Sequence, residues 1–302
     1  MKILILDPNA DFYMEKLQEE FPELDVIAAV DEIGAEAHIT QAKVLVAVKV
    51  SDKLLTKAKN LAWIQSLISG TDFFTKLPSF KSDILITSGK GIHGPQMSET
   101  AFLLMLALGR KFNENYKNRQ QKKWVRWPTI LLHNKSVGIL GVGIIGKEIA
   151  RKCKAFNMIV HGMTSTKRDL ENVDYSYDST QLTEIVAEAD YVINILPSNS
   201  HTRKTIGKAQ FEAMKPTAFF INIGRGDTVD ETALIESLKT KRIAGAGLDV
   251  LAVEPPAQDN PLWEMDNVVL TPHIGGSSDI YPQQILPVIK NNIQMYLHGE
   301  LK

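Results

Sequence analysis

Three short segments carry groups that could move a proton or bind an acid. Ile221-Asn222-Ile223-Gly224-Arg225-Gly226 runs an apolar stretch into an arginine between two glycines. A guanidinium keeps its charge at any ordinary pH, and its planar fork matches a carboxylate with two parallel hydrogen bonds. Leu248-Asp249-Val250-Leu251-Ala252-Val253-Glu254 ends on a glutamate set before the double proline Pro255-Pro256. Thr271-Pro272-His273-Ile274-Gly275-Gly276 places a histidine after a proline and just ahead of two glycines. A carboxylate beside an imidazole orients the ring and favours its protonated form, which makes a general acid that works near neutral pH. Each segment alone has a plainer reading: a surface arginine in a turn, a braced glutamate, a structural histidine. All three, however, follow apolar runs, and the carboxyl ends of strands are where open α/β sheets bind ligands.

A fourth segment supplies phosphate chemistry. Ser136-Val137-Gly138-Ile139-Leu140 leads into Gly141-Val142-Gly143-Ile144-Ile145-Gly146, and the periodic apolar residues Ile145, Ile149, Ala150 and Cys153 continue it as a helix. Gly141 suits the tight turn, Gly143 lets a pyrophosphate approach the backbone, and Gly146 lets helix and strand pack closely. The helix N-terminus then offers unpaired N–H groups and the positive end of its dipole. The strand–turn–helix context predicts dinucleotide binding over a glycine-rich turn with no ligand.

These motifs, in this order, resemble those of the D-2-hydroxyacid dehydrogenase family over nearly the whole chain. The resemblance implies hydride transfer between a nicotinamide cofactor and a 2-oxoacid, giving a D-2-hydroxyacid. It makes Arg225, Glu254 and His273 the catalytic residues, with Arg225 and His273 also contacting substrate. Ser69-Gly70-Thr71-Asp72 resembles the family's substrate-carboxylate loop, so Ser69 and Gly70 join the substrate set. Leu196-Pro197 resembles the turn beside the cofactor's adenosine, and Asp249 matches the position that contacts the nicotinamide amide. Gly141, Gly143, Ile144, Ile145, Gly146, Thr202, Ile223 and Gly275 complete the cofactor set that the resemblance implies. No metal is expected. A non-catalytic, nucleotide-sensing protein of the same fold is the alternative from another class, and a family member acting on another small anion such as phosphite is the alternative within it.

One departure from the family pattern bears on cofactor choice. NAD-selective members carry an acid about twenty residues beyond the glycines, where it binds the ribose hydroxyls. Here the strand Met158–Met163 is followed by Thr164-Ser165-Thr166-Lys167-Arg168, and Thr164 stands in the acid's place. Hydroxyls with two bases attract a 2′-phosphate that an aspartate would repel. The expectation is NADP(H) over NAD(H), with Thr164, Ser165, Thr166, Lys167 and Arg168 in the cofactor set. A polar loop with solvated bases is the plainer reading.

The elements that must position these groups alternate strand and helix. Lys2–Leu6, Asp25–Ala29, Val44–Val48, Ala62–Leu67 and Ile84–Thr87 read as short buried strands, and Val137–Leu140, Met158–His161, Tyr191–Ile195, Ala218–Asn222, Gly245–Leu248 and Val268–Leu270 as a second set. The fold class expected is α/β with two Rossmann-like, doubly wound parallel sheets: a flavodoxin-like substrate domain (1–94 plus 276–302) and a dinucleotide-binding domain (95–275). The active site is expected in the cleft, with hinges near Pro95 and Gly275-Gly276. Ile68, His93 and the segment around Tyr281 are candidates to line the substrate pocket. One long apolar helix is predicted from Pro95 to about Arg119, followed by the aromatic arm Trp124-Val125-Arg126-Trp127-Pro128; together they predict a homodimer. With 302 residues, a formal net charge of −1 and one cysteine, the chain has core enough for two domains. The balance of charge gives no reason to expect nucleic acid, and no apolar run predicts a membrane span or a signal peptide. A lone Cys153 fits a reducing, cytoplasmic setting and a core role.

Overall fold

The computed structural model describes residues 1–301, and the side chain of Asp72 lies outside that description. The chain divides into two compact units: Met1–Ile92 with the segment from Ser278 onward, and His93–Ser277.

The first unit is built on a five-stranded parallel sheet in the order β2-β1-β3-β4-β5. Its strands are β1 Lys2–Leu6, β2 Asp25–Ala29, β3 Val44–Ala47, β4 Trp63–Ser66 and β5 Leu85–Thr87. β3 and β4 are buried along their whole length, as strands covered on both faces must be. The helix Ala10–Glu20 covers one face with Tyr13 and Leu17, joined there by Ile285, Ile289 and Ile293 of the helix Tyr281–Leu297. The fourfold spacing of those isoleucines keeps one stripe on the sheet. Pro282 sits in the first turn, where no N–H is needed, and that stripe carries the helix past Pro287.

The second unit holds a seven-stranded parallel sheet in the order β12-β11-β10-β9-β6-β7-β8. The strands are β6 Ser136–Leu140, β7 Ile159–Met163, β8 Tyr175–Tyr177, β9 Tyr191–Asn194, β10 Phe219–Asn222, β11 Gly245–Leu248 and β12 Val268–Leu270. The order reverses between β6 and β9, which creates the crevice where doubly wound sheets take their ligands. β8 is a strand the sequence pattern did not predict. It is three residues of Tyr-Ser-Tyr with no apolar run, and it exists because its backbone pairs with β7 at the sheet edge.

The single helix expected from Pro95 to about Arg119 is two helices, Gly94–Gly109 and Phe112–Gln120, separated by Lys111 in left-handed conformation (φ 54°). The apolar stripe ends at Leu108, and the second helix buries no residue. The Gly109 carbonyl accepts instead from the Ile130 N–H (3.0 Å), so the chain turns away there. The first helix presses Leu104 against the sheet so closely that a Cβ on Gly247 would lie 2.8 Å from the leucine Cβ. Cys153 is fully buried in the adjoining core, and burial pushes its thiol up to about 12.

Candidate active site

β10, β11 and β12 lie side by side and in register, Asn222 level with Leu248 and Leu248 level with Leu270. The three segments singled out for chemistry therefore leave one sheet edge together. The His273 N–H donates to the Asp249 carbonyl at 2.9 Å, and His273 itself adopts φ 52°. A left-handed residue other than glycine costs about 1–2 kcal/mol and persists only where its surroundings over-determine it. Asp249 provides that. Its carboxylate, 3% exposed, accepts from the Thr271 hydroxyl (2.6 Å), the Ile274 N–H (3.1 Å) and the Gly275 N–H (2.9 Å). The sequence reading gave Asp249 to the nicotinamide amide and missed this clamp on the histidine loop.

The clamp leaves His273 facing Glu254. Nδ1 and Oε2 are 2.6 Å apart, and both side chains remain partly open to solvent, at 46% and 36%. The other glutamate oxygen accepts from the Leu251 N–H at 2.9 Å, which ties the carboxylate to its own loop. Glu231 steadies that loop in turn, accepting from the Ala252 N–H and the Asn260 side chain, each at 3.0 Å. With the carboxylate on Nδ1, that nitrogen carries a hydrogen, and Nε2 is the atom left to meet a substrate. A proton can be given or taken there.

Arg225 follows β10 half-buried. Its Nη1 donates to the Gly224 carbonyl at 2.8 Å, and among the described residues no carboxylate pairs with it. A desolvated guanidinium without a counter-ion is a receptor for an anion. Beneath it lies a buried polar cluster that the sequence reading did not find. Asn194 donates to the Asn222 side-chain oxygen (2.9 Å) and to the Thr228 hydroxyl (2.8 Å), and Thr228 donates to the Arg225 carbonyl (2.7 Å). The available signal was an asparagine closing each of two otherwise apolar strands. His93 lies in the same unit, 7% exposed, with its Cδ2 3.4 Å from where a Cβ on Gly276 would sit. Burial, and then the positive charge of Arg225, hold its imidazole below the usual range.

The glycine turn occupies the switch point. Gly141 has φ 105°, and its N–H and that of Val142 donate to the Met163 carbonyl, tying the turn to the end of β7. A Cβ on Gly146 would come within 2.9 Å of the Gly141 carbonyl, so helix and strand pack too tightly for any side chain. Among the described residues, the added Cβ at Gly143 would meet nothing within 4 Å, and no side chain caps the helix Ile144–Ala155. Open space against uncapped N–H groups is what a dinucleotide pyrophosphate requires, so these residues fit the cofactor. Leu196 borders the turn, its Cδ2 3.4 Å from the Cβ position of Gly141. The Thr202 hydroxyl donates to the Pro197 carbonyl at 2.6 Å, and Ile223 is buried beside Gly224. Ser165, Thr166, Lys167 and Arg168 form an exposed loop after β7. Thr164 is buried and spends its hydroxyl on the Thr166 carbonyl (2.7 Å), folding that loop.

In the first unit, Ser69 and Gly70 lie in a loop after β4 that wraps the Ser66 hydroxyl, which donates to the Ile68 and Gly70 carbonyls (3.0 and 3.1 Å). The Tyr281 hydroxyl donates to Leu67 of the same loop at 2.6 Å. A groove of about 840 Å³ opens elsewhere, where β6, β7 and β8 begin, lined among others by His161, Tyr175, Glu188 and Lys215. It lies at the edge of the sheet opposite the glycine turn, and Lys215 is already engaged with Asp190 and the Glu188 carbonyl.

The chain is similar to known proteins in sequence and in fold. The profile of the D-isomer specific 2-hydroxyacid dehydrogenase NAD binding domain matches residues 102–275. The glyoxylate reductase of Pyrococcus furiosus is 30% identical over 315 residues, covering 99% of this chain and 93% of that protein. The D-3-phosphoglycerate dehydrogenase of Archaeoglobus fulgidus is also 30% identical, but this chain spans only 54% of its length. Among solved structures, a D-isomer specific 2-hydroxyacid dehydrogenase family protein from Aeromonas salmonicida superposes with a TM-score of 0.90 at 31% identity, covering 99% of this chain and 96% of that one. An NADPH-dependent glyoxylate/hydroxypyruvate reductase from Sinorhizobium meliloti, in complex with NADP and sulfate, does so with a TM-score of 0.84 at 26% identity, covering 99% and 95%. The ordered site motifs, the two parallel sheets and a matching relative across almost the full length of both proteins give one result: this chain belongs to the D-isomer specific 2-hydroxyacid dehydrogenase family.

Proposed function

We propose that the protein reduces a small 2-oxoacid to the D-2-hydroxyacid with NAD(P)H, reversibly, and that it prefers NADP(H). The observation that carries the reading is the 2.6 Å contact between His273 Nδ1 and Glu254, which leaves Nε2 free at the sheet edge that also carries Arg225. A dihydronicotinamide, when bound, supplies hydride to the keto carbon. Protonated His273 gives the Nε2 proton to the carbonyl oxygen as negative charge gathers there, and Glu254 stabilises the imidazolium. Arg225 grips the carboxylate and sets positive charge beside that oxygen. The family resemblance assigns Ser69 and Gly70 to the carboxylate as well.

For the cofactor, the absence of an acid at Thr164, the exposed bases Lys167 and Arg168, and a structural relative that holds NADP all favour the phosphorylated form. The test of function is NADPH oxidation with a panel containing glyoxylate, hydroxypyruvate, 2-ketogluconate and pyruvate. A protein that binds NADPH and turns over none of them is a nucleotide-binding protein instead. A homodimer belongs to the same proposal. Trp124 is 90% exposed, and Val125, Leu131, Phe112 and Tyr116, from the same stretch of chain, are exposed as well, apolar surface that a partner subunit would cover.

A further inference from the structure

We infer that Thr228 and Asn194 are positioning residues for the substrate arginine, acting through the buried amide–hydroxyl cluster beneath it. The inference rests on the proposed role of Arg225 as the carboxylate clamp. Arg225 stands in a loop with glycine on both sides, so its own backbone does little to hold it. The shortest bond to its carbonyl comes from the fully buried Thr228 hydroxyl at 2.7 Å, with longer ones from the Asn222 side chain and the Thr228 N–H, each at 3.4 Å. That hydroxyl has a single hydrogen and spends it there. Its lone pair accepts from Asn194 Nδ2 at 2.8 Å, and the same NH₂ group donates to Asn222 Oδ1 at 2.9 Å. Asn222 Oδ1 also accepts from the Gly224 N–H at 3.2 Å, one residue before the arginine. Asn194 and Asn222 close neighbouring strands level with each other, so the cluster is anchored in the sheet itself.

The cluster reaches the cofactor side as well. Asn194 Oδ1 accepts from the Leu196 N–H at 3.2 Å, the residue whose side chain borders the glycine turn. One buried asparagine therefore ties the adenosine-side turn and the arginine loop to the same point. From the other side the loop is pressed against backbone: a Cβ on Gly226 would fall 1.9 Å from the Leu251 carbonyl. A guanidinium that must meet a carboxylate with two parallel hydrogen bonds tolerates little misplacement, and the loss of one arm of that fork is read first in the affinity for the acid.

The experiment compares Thr228→Val, which keeps the shape and removes the hydroxyl, with Thr228→Ser, which keeps it. Glyoxylate reduction by NADPH and NADPH affinity by fluorescence are measured for each, alone and combined with Arg225→Lys. Thr228→Val should raise KM for glyoxylate about tenfold with kcat and NADPH affinity within about twofold of wild type, and Thr228→Ser should restore KM. In the Arg225→Lys background, Thr228→Val should add nothing, because the group it positions is gone. Thr228→Ala serves the same comparison if the valine variant does not fold. A wild-type KM in the hydroxyl-free variants, failure of serine to rescue, equal loss of NADPH affinity, or a full additive loss on top of Arg225→Lys would each overturn the inference. Arg225→Lys with wild-type kcat/KM would remove the clamp reading and the inference with it. A damaged Arg225→Lys beside a normal Thr228→Val would remove the positioning role alone.

Discussion

At the scale of single residues, the account depends on one nitrogen. Glu254 occupies His273 Nδ1, and the Asp249 clamp holds the histidine in a conformation its backbone resists, so Nε2 is aimed by two carboxylates with different tasks. His273→Ala should lower kcat by about 10²–10⁴ while NADPH binding stays near wild type. A variant with wild-type kcat on any 2-oxoacid would refute the assignment. Glu254→Gln keeps the hydrogen-bonding shape and removes the carboxylate that orients the ring through Nδ1. Reduction should therefore lose about tenfold or more in kcat with NADPH affinity near wild type, and a wild-type kcat would show that the contact is structural only.

At the scale of elements, strand ends and the turns after them do the positioning. Lys167 and Arg168 should meet the 2′-phosphate, and a charge-assisted bond to phosphate is worth about 1.5–3 kcal/mol. Arg168→Ala should therefore weaken kcat/KM for NADPH about tenfold or more and leave that for NADH nearly unchanged. Equal loss with both cofactors, or a wild type that prefers NADH, would return the loop to solvated surface. These turns were legible in the sequence because Gly141, Arg225, Glu254 and His273 each follow an apolar run, and a buried parallel strand has a strong pattern. β8 was not legible, since edge pairing with β7 rather than side-chain burial makes it a strand. The break at Lys111 was hidden for a related reason. Helix propensity continues through Phe112–Gln120, and only the Gly109–Ile130 hydrogen bond and the end of the buried stripe show that the helix stops. The cluster of Asn194, Asn222 and Thr228 needed three distant segments in one place, which no local spacing reveals.

At the scale of the whole molecule, titration and assembly can be read. Burial lowers the proton affinity of both His93 and His161, with the charge of Arg225 adding to the effect at His93. Each imidazole binds a proton less readily in the folded chain than in the unfolded one. Their contribution to stability is therefore complete above the ordinary imidazole range, near pH 6.5, and lost as pH falls through it. Melting temperature should drop by a few degrees between pH 7.5 and 5.5, and His93→Gln with His161→Gln should flatten that slope; an unchanged slope would contradict it. Sedimentation at micromolar concentration should give the mass of a dimer, and a monomer would leave Trp124 and its neighbours without the proposed partner. The central claim is tested most directly by mixing wild type with NADPH and each 2-oxoacid of the panel and following cofactor and product together. The account predicts that NADPH is consumed mole for mole with formation of the D-2-hydroxyacid from at least one of them, far above the His273→Ala rate. Bound NADPH with no such product from any acid, or a product of L configuration, would contradict it.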